Sequence, residues 1–106
     1  SSRFEISIGV DYSSDIHLVM KLLKTAAIDQ DGVLNSPEPF VRFNEYGDSA
    51  LLFSLYFWVD EVFRVENIKS QLRIRLFDVF KSNGINIPFP QRVLYIKQDE
   101  KDKLPE

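Results

Sequence analysis

Between residues 3 and 10 the chain alternates. Phe4, Ile6, Ile8 and Val10 fall on one side, and Arg3, Glu5, Ser7 and Gly9 on the other. A period of two held over such a stretch predicts a strand buried on one face. Asp11-Tyr12-Ser13-Ser14-Asp15 then offers side-chain oxygens that can accept from the free N–H groups of a helix start. Behind them Ile16, Val19, Met20, Leu23 and Ala26-Ala27 keep helical spacing, with Lys21 and Lys24 off that face. Asp31-Gly32 ends the run. Asn35-Ser36-Pro37-Glu38-Pro39 predicts a loop, because proline fixes its own φ and restricts the residue before it.

A second strand is expected over 40–46 and a third over 49–59, joined at Gly47, Asp48 and Ser49. So short a connection predicts an antiparallel hairpin, with Gly47 free to take a positive φ in the turn. A second helix is expected over 62–83, with Val65, Ile68, Leu72, Leu76, Val79 and Phe80 on one face, and Gly84 stands where a left-handed cap is wanted. A fourth strand is expected over 93–96, after the segment from Pro88 to Pro90. The order β-α-β-β-α-β predicts an α+β fold of the ferredoxin-like, split β-α-β kind. Its four-stranded antiparallel sheet would carry both helices on one face. Residues 1–96 read as one domain. Residues 97–106, with seven charged side chains and a single aliphatic one, read as a charged tail.

If helices cover one face of the sheet, the other carries the chemistry of recognition. Along the third strand Leu51, Phe53, Leu55, Phe57 and Val59 are uniformly apolar and are expected under the helices. The opposite set is Ala50, Leu52, Ser54, Tyr56 and Trp58, joined by Arg3, Glu5 and Ser7 and by Arg42 and Asn44 from the second strand. Such a face is either ordinary solvated surface or a protein–protein interface, since interfaces favour Tyr, Trp and Arg. Base stacking is a third reading, disfavoured because the third strand lacks a Gly-rich basic motif.

Composition narrows the chemistry. The chain has 106 residues, no cysteine and one histidine, with a formal net charge of −3. Without cysteine there is no disulfide, thiol nucleophile or thiolate metal site, and stability must come from packing, which suits a cytosolic protein. The acidic balance argues against nucleic acid as partner. His17, near the start of the first helix, has no nucleophile to serve. Asp11, Asp15, Asp60 and Glu61 read as caps and loop ends, because no calcium-loop spacing is present. No glycine-rich phosphate loop follows a strand, so neither catalytic residues nor a cofactor or metal site are expected. The longest apolar runs, at 50–53 and 55–59, fall far short of the roughly 20 residues a membrane helix needs. Ser1-Ser2 running straight into a strand suggests an excised fragment or a cleaved tag.

Several stretches carry a family resemblance: Ile8-Gly9-Val10-Asp11-Tyr12 followed by Asp15; Pro37-Glu38-Pro39 leading to Glu45-Tyr46-Gly47-Asp48-Ser49; Phe57-Trp58-Val59; and Gly84-Ile85-Asn86-Ile87-Pro88-Phe89-Pro90-Gln91. Together they resemble the C-terminal cytosolic domain of the small-conductance mechanosensitive channel family, over residue 3 to about residue 93. Tyr46 and Ala50 depart from the family's more usual Phe and Ser. The resemblance implies a homoheptamer whose C-terminal domains ring a vestibule on the cytoplasmic side of the membrane. Copies of the chain itself would be the partners, and the membrane would be reached only through segments absent here. It implies no transport by this stretch alone. Arg42, Tyr56 and Trp58 on the open face, with Pro88, Phe89, Pro90 and Gln91, are the expected interface residues; Phe89 reads equally as contact anchor or core plug. The competing reading is a free-standing ferredoxin-like module that binds a small ligand or RNA.

Overall fold

The alternation at the start of the chain becomes β1 (Ser2–Val10) in a computed structural model, whose described residues are 1–88. The expected fourth strand at 93–96, the charged tail, and Phe89, Pro90 and Gln91 lie outside the described residues. Helix α1 (Ile16–Asp29) opens on Asp15, whose carboxylate accepts from the Leu18 amide at 3.1 Å. That bond supplies a partner for one of the donors a helix start leaves free. After Gly32, which takes φ +93°, and a cis Ser36–Pro37 bond, the chain enters β2 (Phe40–Tyr46).

The hairpin to β3 (Leu51–Val59) closes with the Gly47 amide donating to the Ala50 carbonyl at 2.8 Å. The expectation of a positive φ at Gly47 does not hold, since only Gly32 and Gly84 adopt one. Space is the reason for glycine here: a Cβ would lie 2.9 Å from both the Ala50 carbonyl oxygen and a Leu52 methyl.

One turn of 3-10 helix (Val62–Arg64) precedes α2 (Val65–Ser82), so the first residues of the expected second helix are wound more tightly than α-helix. Arg64 holds this turn through Glu61 at 3.0 Å and Asp31 at 2.9 Å, and the two carboxylates keep its guanidinium pKa above the ordinary value. At the far end of α2, Gly84 takes φ +70°. The Ile85 amide donates to Phe80 and the Gly84 amide to Lys81, so the last turn's carbonyls are satisfied by a Schellman cap.

The three described strands form an antiparallel sheet in the order β1-β3-β2, with β3 in the centre. Leu51, Phe53, Leu55, Phe57 and Val59 are at most 3% exposed and pack with Val19, Leu23, Ala26 and Ala27 of α1 and Ile68, Leu72, Leu76 and Phe80 of α2. Each such side chain contributes about 1.5–3 kcal/mol relative to an exposed position. The core therefore lies on one side of the sheet, and among the described residues no helix covers the other side.

Candidate functional site

The pairing register decides which side chains meet on that open side. Arg3 lies opposite Trp58, Glu5 opposite Tyr56, Phe40 opposite Tyr56 and Arg42 opposite Ser54. All share the face of Tyr56 and Trp58 because the pleat repeats every two residues. The Trp58 end of β3 extends past the start of β2, and there its carbonyl accepts from the Leu34 amide at 2.9 Å. A loop thus steadies the strand where Trp58 projects.

Five of these groups gather into one cluster. The Phe40 ring lies on Tyr56 with centroids 4.7 Å apart and planes 19° apart, and tilts against Trp58 at 5.9 Å. The Arg3 guanidinium lies 5.0 Å from the Tyr56 centroid, and Arg42 lies 5.6 Å from Phe40 and 5.9 Å from Tyr56. A cation over an exposed aromatic face is worth about 0.5–1 kcal/mol, enough to bias side-chain orientation but not to hold a fold. No ion pair joins Arg3 or Arg42 to a carboxylate among the described residues. The cluster is an aromatic plate with a guanidinium at two of its edges.

Next to it runs a polar chain across all three strands. Asn44 Nδ2 donates to Ser54 Oγ at 2.7 Å, and Ser54 Oγ donates to Glu5 Oε2 at 2.9 Å. Asn44 reaches Ser54 because the register shifts between Phe43 and Glu45, which inserts Asn44 as a bulge in β2. Ser54 is 1% exposed, so the chain satisfies a hydroxyl that would otherwise be buried alone.

The structure brings Arg42, Tyr56 and Trp58 together. It adds Phe40, whose ring joins the other two, and which sequence reasoning placed only at the start of a strand. Counting back by two from Arg42 would have found it. Pro88 is half-buried and lies far from this cluster. It follows Asn86, whose carbonyl accepts from the Asp11 amide just past the end of β1, whereas Arg3 stands at the start of β1. At about 3.4 Å per residue, the two patches are separated by about 25 Å along that strand.

The carboxylates singled out in the sequence have local roles. Asp15 caps α1 and Glu61 pairs with Arg64. Asp11 accepts from both the hydroxyl and, at 3.0 Å, the amide of Ser13; these bonds hold its carboxyl below the ordinary carboxylate pKa. Tyr12 Oη donates to the Gly47 carbonyl and so links the loop after β1 to the hairpin. His17 is exposed on α1. These are fold-holding contacts, and Gly47 and Gly84 likewise serve backbone geometry.

With this geometry in place, the wider comparison is decisive. The model of the family described as "Mechanosensitive ion channel MscS, C-terminal" matches residues 4–87. The chain belongs to the MscS mechanosensitive channel family. Among MscS-family relatives, an uncharacterized protein of Archaeoglobus fulgidus is 31% identical over 97 residues, covering 92% of this chain and 34% of the relative. The small-conductance mechanosensitive channel of Helicobacter pylori is 30% identical over 101 residues, covering 95% of this chain and 37% of the relative. The mechanosensitive channel MscK of Escherichia coli is 30% identical over 106 residues, all of this chain but 10% of its own length. The crystal structure of H. pylori MscS in its closed state superposes with a TM-score of 0.78 at 30% identity, covering 91% of this chain and 38% of that one. The chain thus spans little more than a third of these MscS proteins at most. No helix among its described residues is long and apolar enough to cross a membrane.

Proposed function

We propose that this MscS C-terminal domain forms part of the wall of a cytosolic vestibule beneath a mechanosensitive pore. There it contributes to oligomer assembly, with a heptamer as the expected ring, and to the solute path below the pore. The observation that carries the reading is the family match over residues 4–87, together with a fold that superposes on a closed MscS. The open sheet face around Phe40, Arg42, Tyr56 and Trp58 supplies a contact to another copy, since aromatic and Arg side chains anchor interfaces. On the same reading the fourth strand expected over residues 93–96 completes the ferredoxin-like sheet.

Two measurements test this. The coding sequence upstream should encode apolar segments of about 20 residues, and their absence would sink the proposal. In the full-length subunit, Arg42→Glu with Trp58→Ala should shift the detergent-solubilised protein from oligomer toward monomer by at least tenfold. An unchanged oligomer would remove the open face from the interface while leaving the channel reading to the first test.

A further inference from the structure

Helix α2 is apolar on two sides. Ile68, Leu72, Leu76 and Phe80 face the sheet and are buried. The side turned away carries Ile74 and Phe77, 61% and 57% exposed, and the tight turn ahead of the helix adds Phe63, 86% exposed. Asn67 and Ser70, also exposed, lie between them, so steps of four and three residues place all five along one side. A surface helix ordinarily turns a polar side outward, so large apolar side chains aligned there call for a partner. Among the described residues no element covers them.

The stripe points away from the sheet, and the aromatic plate points away from the helices. The two surfaces therefore lie on opposite sides of the domain, with the sheet and helix layers between them. Their charges are opposite as well. Arg3 and Arg42 stand at the edges of the plate. Glu66 and Asp78, both exposed, flank the stripe, the first a turn after Phe63 and the second a turn after Ile74. The basic residues of α2 nearest the stripe are set aside from it: Arg73 lies toward β1, and Lys81 in the last turn.

A contact repeated around a ring of seven joins two different surfaces of the chain, because a two-fold contact pairs subunits and cannot run around an odd number. Two such surfaces are present on opposite sides of this one domain. We infer that the outer side of α2 in one copy seats on the plate of Phe40, Tyr56 and Trp58 in the next copy. Ile74 and Phe77 lie against the rings, and the two carboxylates turn toward the guanidiniums of Arg3 and Arg42. This contact rests on the reading of the domain as part of a homo-oligomeric wall, and it names the surface that the open face meets.

Ile74 is exposed, so a photo-reactive side chain there leaves the core untouched. In the detergent-solubilised full-length subunit, Ile74→p-benzoylphenylalanine should on irradiation join two chains into a band of twice the subunit mass. Mass spectrometry should place the adduct on the peptide holding Phe40 or on that holding Tyr56 and Trp58. Charge supplies an independent arm. Glu66→Lys with Asp78→Lys should lower the adduct yield at least tenfold, and adding Arg3→Glu with Arg42→Glu should restore most of it. An adduct within one chain, an adduct elsewhere on the neighbouring chain, or none in an intact oligomer would overturn this docking while leaving the oligomer. An adduct on the α2 of the neighbouring chain would make the contact two-fold and overturn it too. A yield unmoved by the first reversal, or not restored by the second, would overturn the pairing of stripe with plate. A subunit that is monomeric before irradiation would instead remove the underlying reading, and this contact with it.

Discussion

The two faces of β3 have the same backbone, the same neighbours and opposite fates. On one, Phe53, Leu55 and Phe57 are wholly buried under two helices; on the other, Leu52, Tyr56 and Trp58 are only half-covered, the two rings by Phe40. The first face spends its apolar area on stability. The second has stacked rings with guanidiniums over their faces, contacts that add little to folding. Face-by-face contrast is more informative than total hydrophobicity, because apolar atoms make up much of any protein surface.

Truncating one ring on each side should break the comparison most visibly. Phe57→Ala removes a side chain with no exposure, leaving a cavity, and should cost about 3–5 kcal/mol in chemical denaturation. Against the total of about 5–15 kcal/mol typical of a domain, that leaves much of the protein unfolded at modest denaturant. Tyr56→Ala, its neighbour in sequence, should cost about 1–2 kcal/mol, the value of one stacked pair and two exposed cation–π contacts. Equal losses at the two positions would end the distinction between the faces.

Ser54→Ala sharpens the contrast from within the open face. Ser54 is the one open-face residue of β3 that is fully buried, and its hydroxyl joins Asn44 to Glu5. Removing it should cost about 1–3 kcal/mol, since two polar groups lose a partner in a partly covered site. In the double variant with Asn44→Ala, the losses should be less than additive by at least about 0.5 kcal/mol. Additive losses would mean that the three groups do not act as one chain.

What could be read from the sequence follows the same division. Period-two and helical patterns report burial, so the helix-facing residues of β3, the core faces of both helices and the Gly84 cap were all legible. Contacts across the sheet depend on register, and a bulge shifts register without a strong local signal. Asn44 to Ser54 to Glu5 was therefore invisible, and Phe40 could be placed on β2 but not on Tyr56. Gly47 was recognised for its turn but for the wrong reason, because the close approach of Leu52 is a tertiary fact. The Arg64 bridge from Asp31 to Glu61 also joins segments distant in sequence, and it accounts for the tight turn ahead of α2.

The smallest effect lies at the rim where both faces end. Asp11 follows β1, and its carboxyl is held below the ordinary pKa first by the Ser13 hydroxyl and then by the Ser13 amide. A depressed folded-state pKa means that the folded chain binds this proton less readily than the unfolded chain. The resulting stability is present above the unfolded carboxyl pKa and is lost as pH falls through the folded one. Ser13→Ala deletes the larger cause and keeps the amide. The Asp11 carboxyl should then titrate at higher pH by NMR, moving toward but not reaching the ordinary value. Denaturation midpoints of parent and variant should differ slightly at neutral pH and converge once both carboxyls are protonated. The site is fully exposed, so water competes for every bond there and the difference must stay small. A variant that titrated like the parent would transfer the effect to the amide alone, making the turn's backbone, and not its hydroxyl, the element that fixes the rim of the open face.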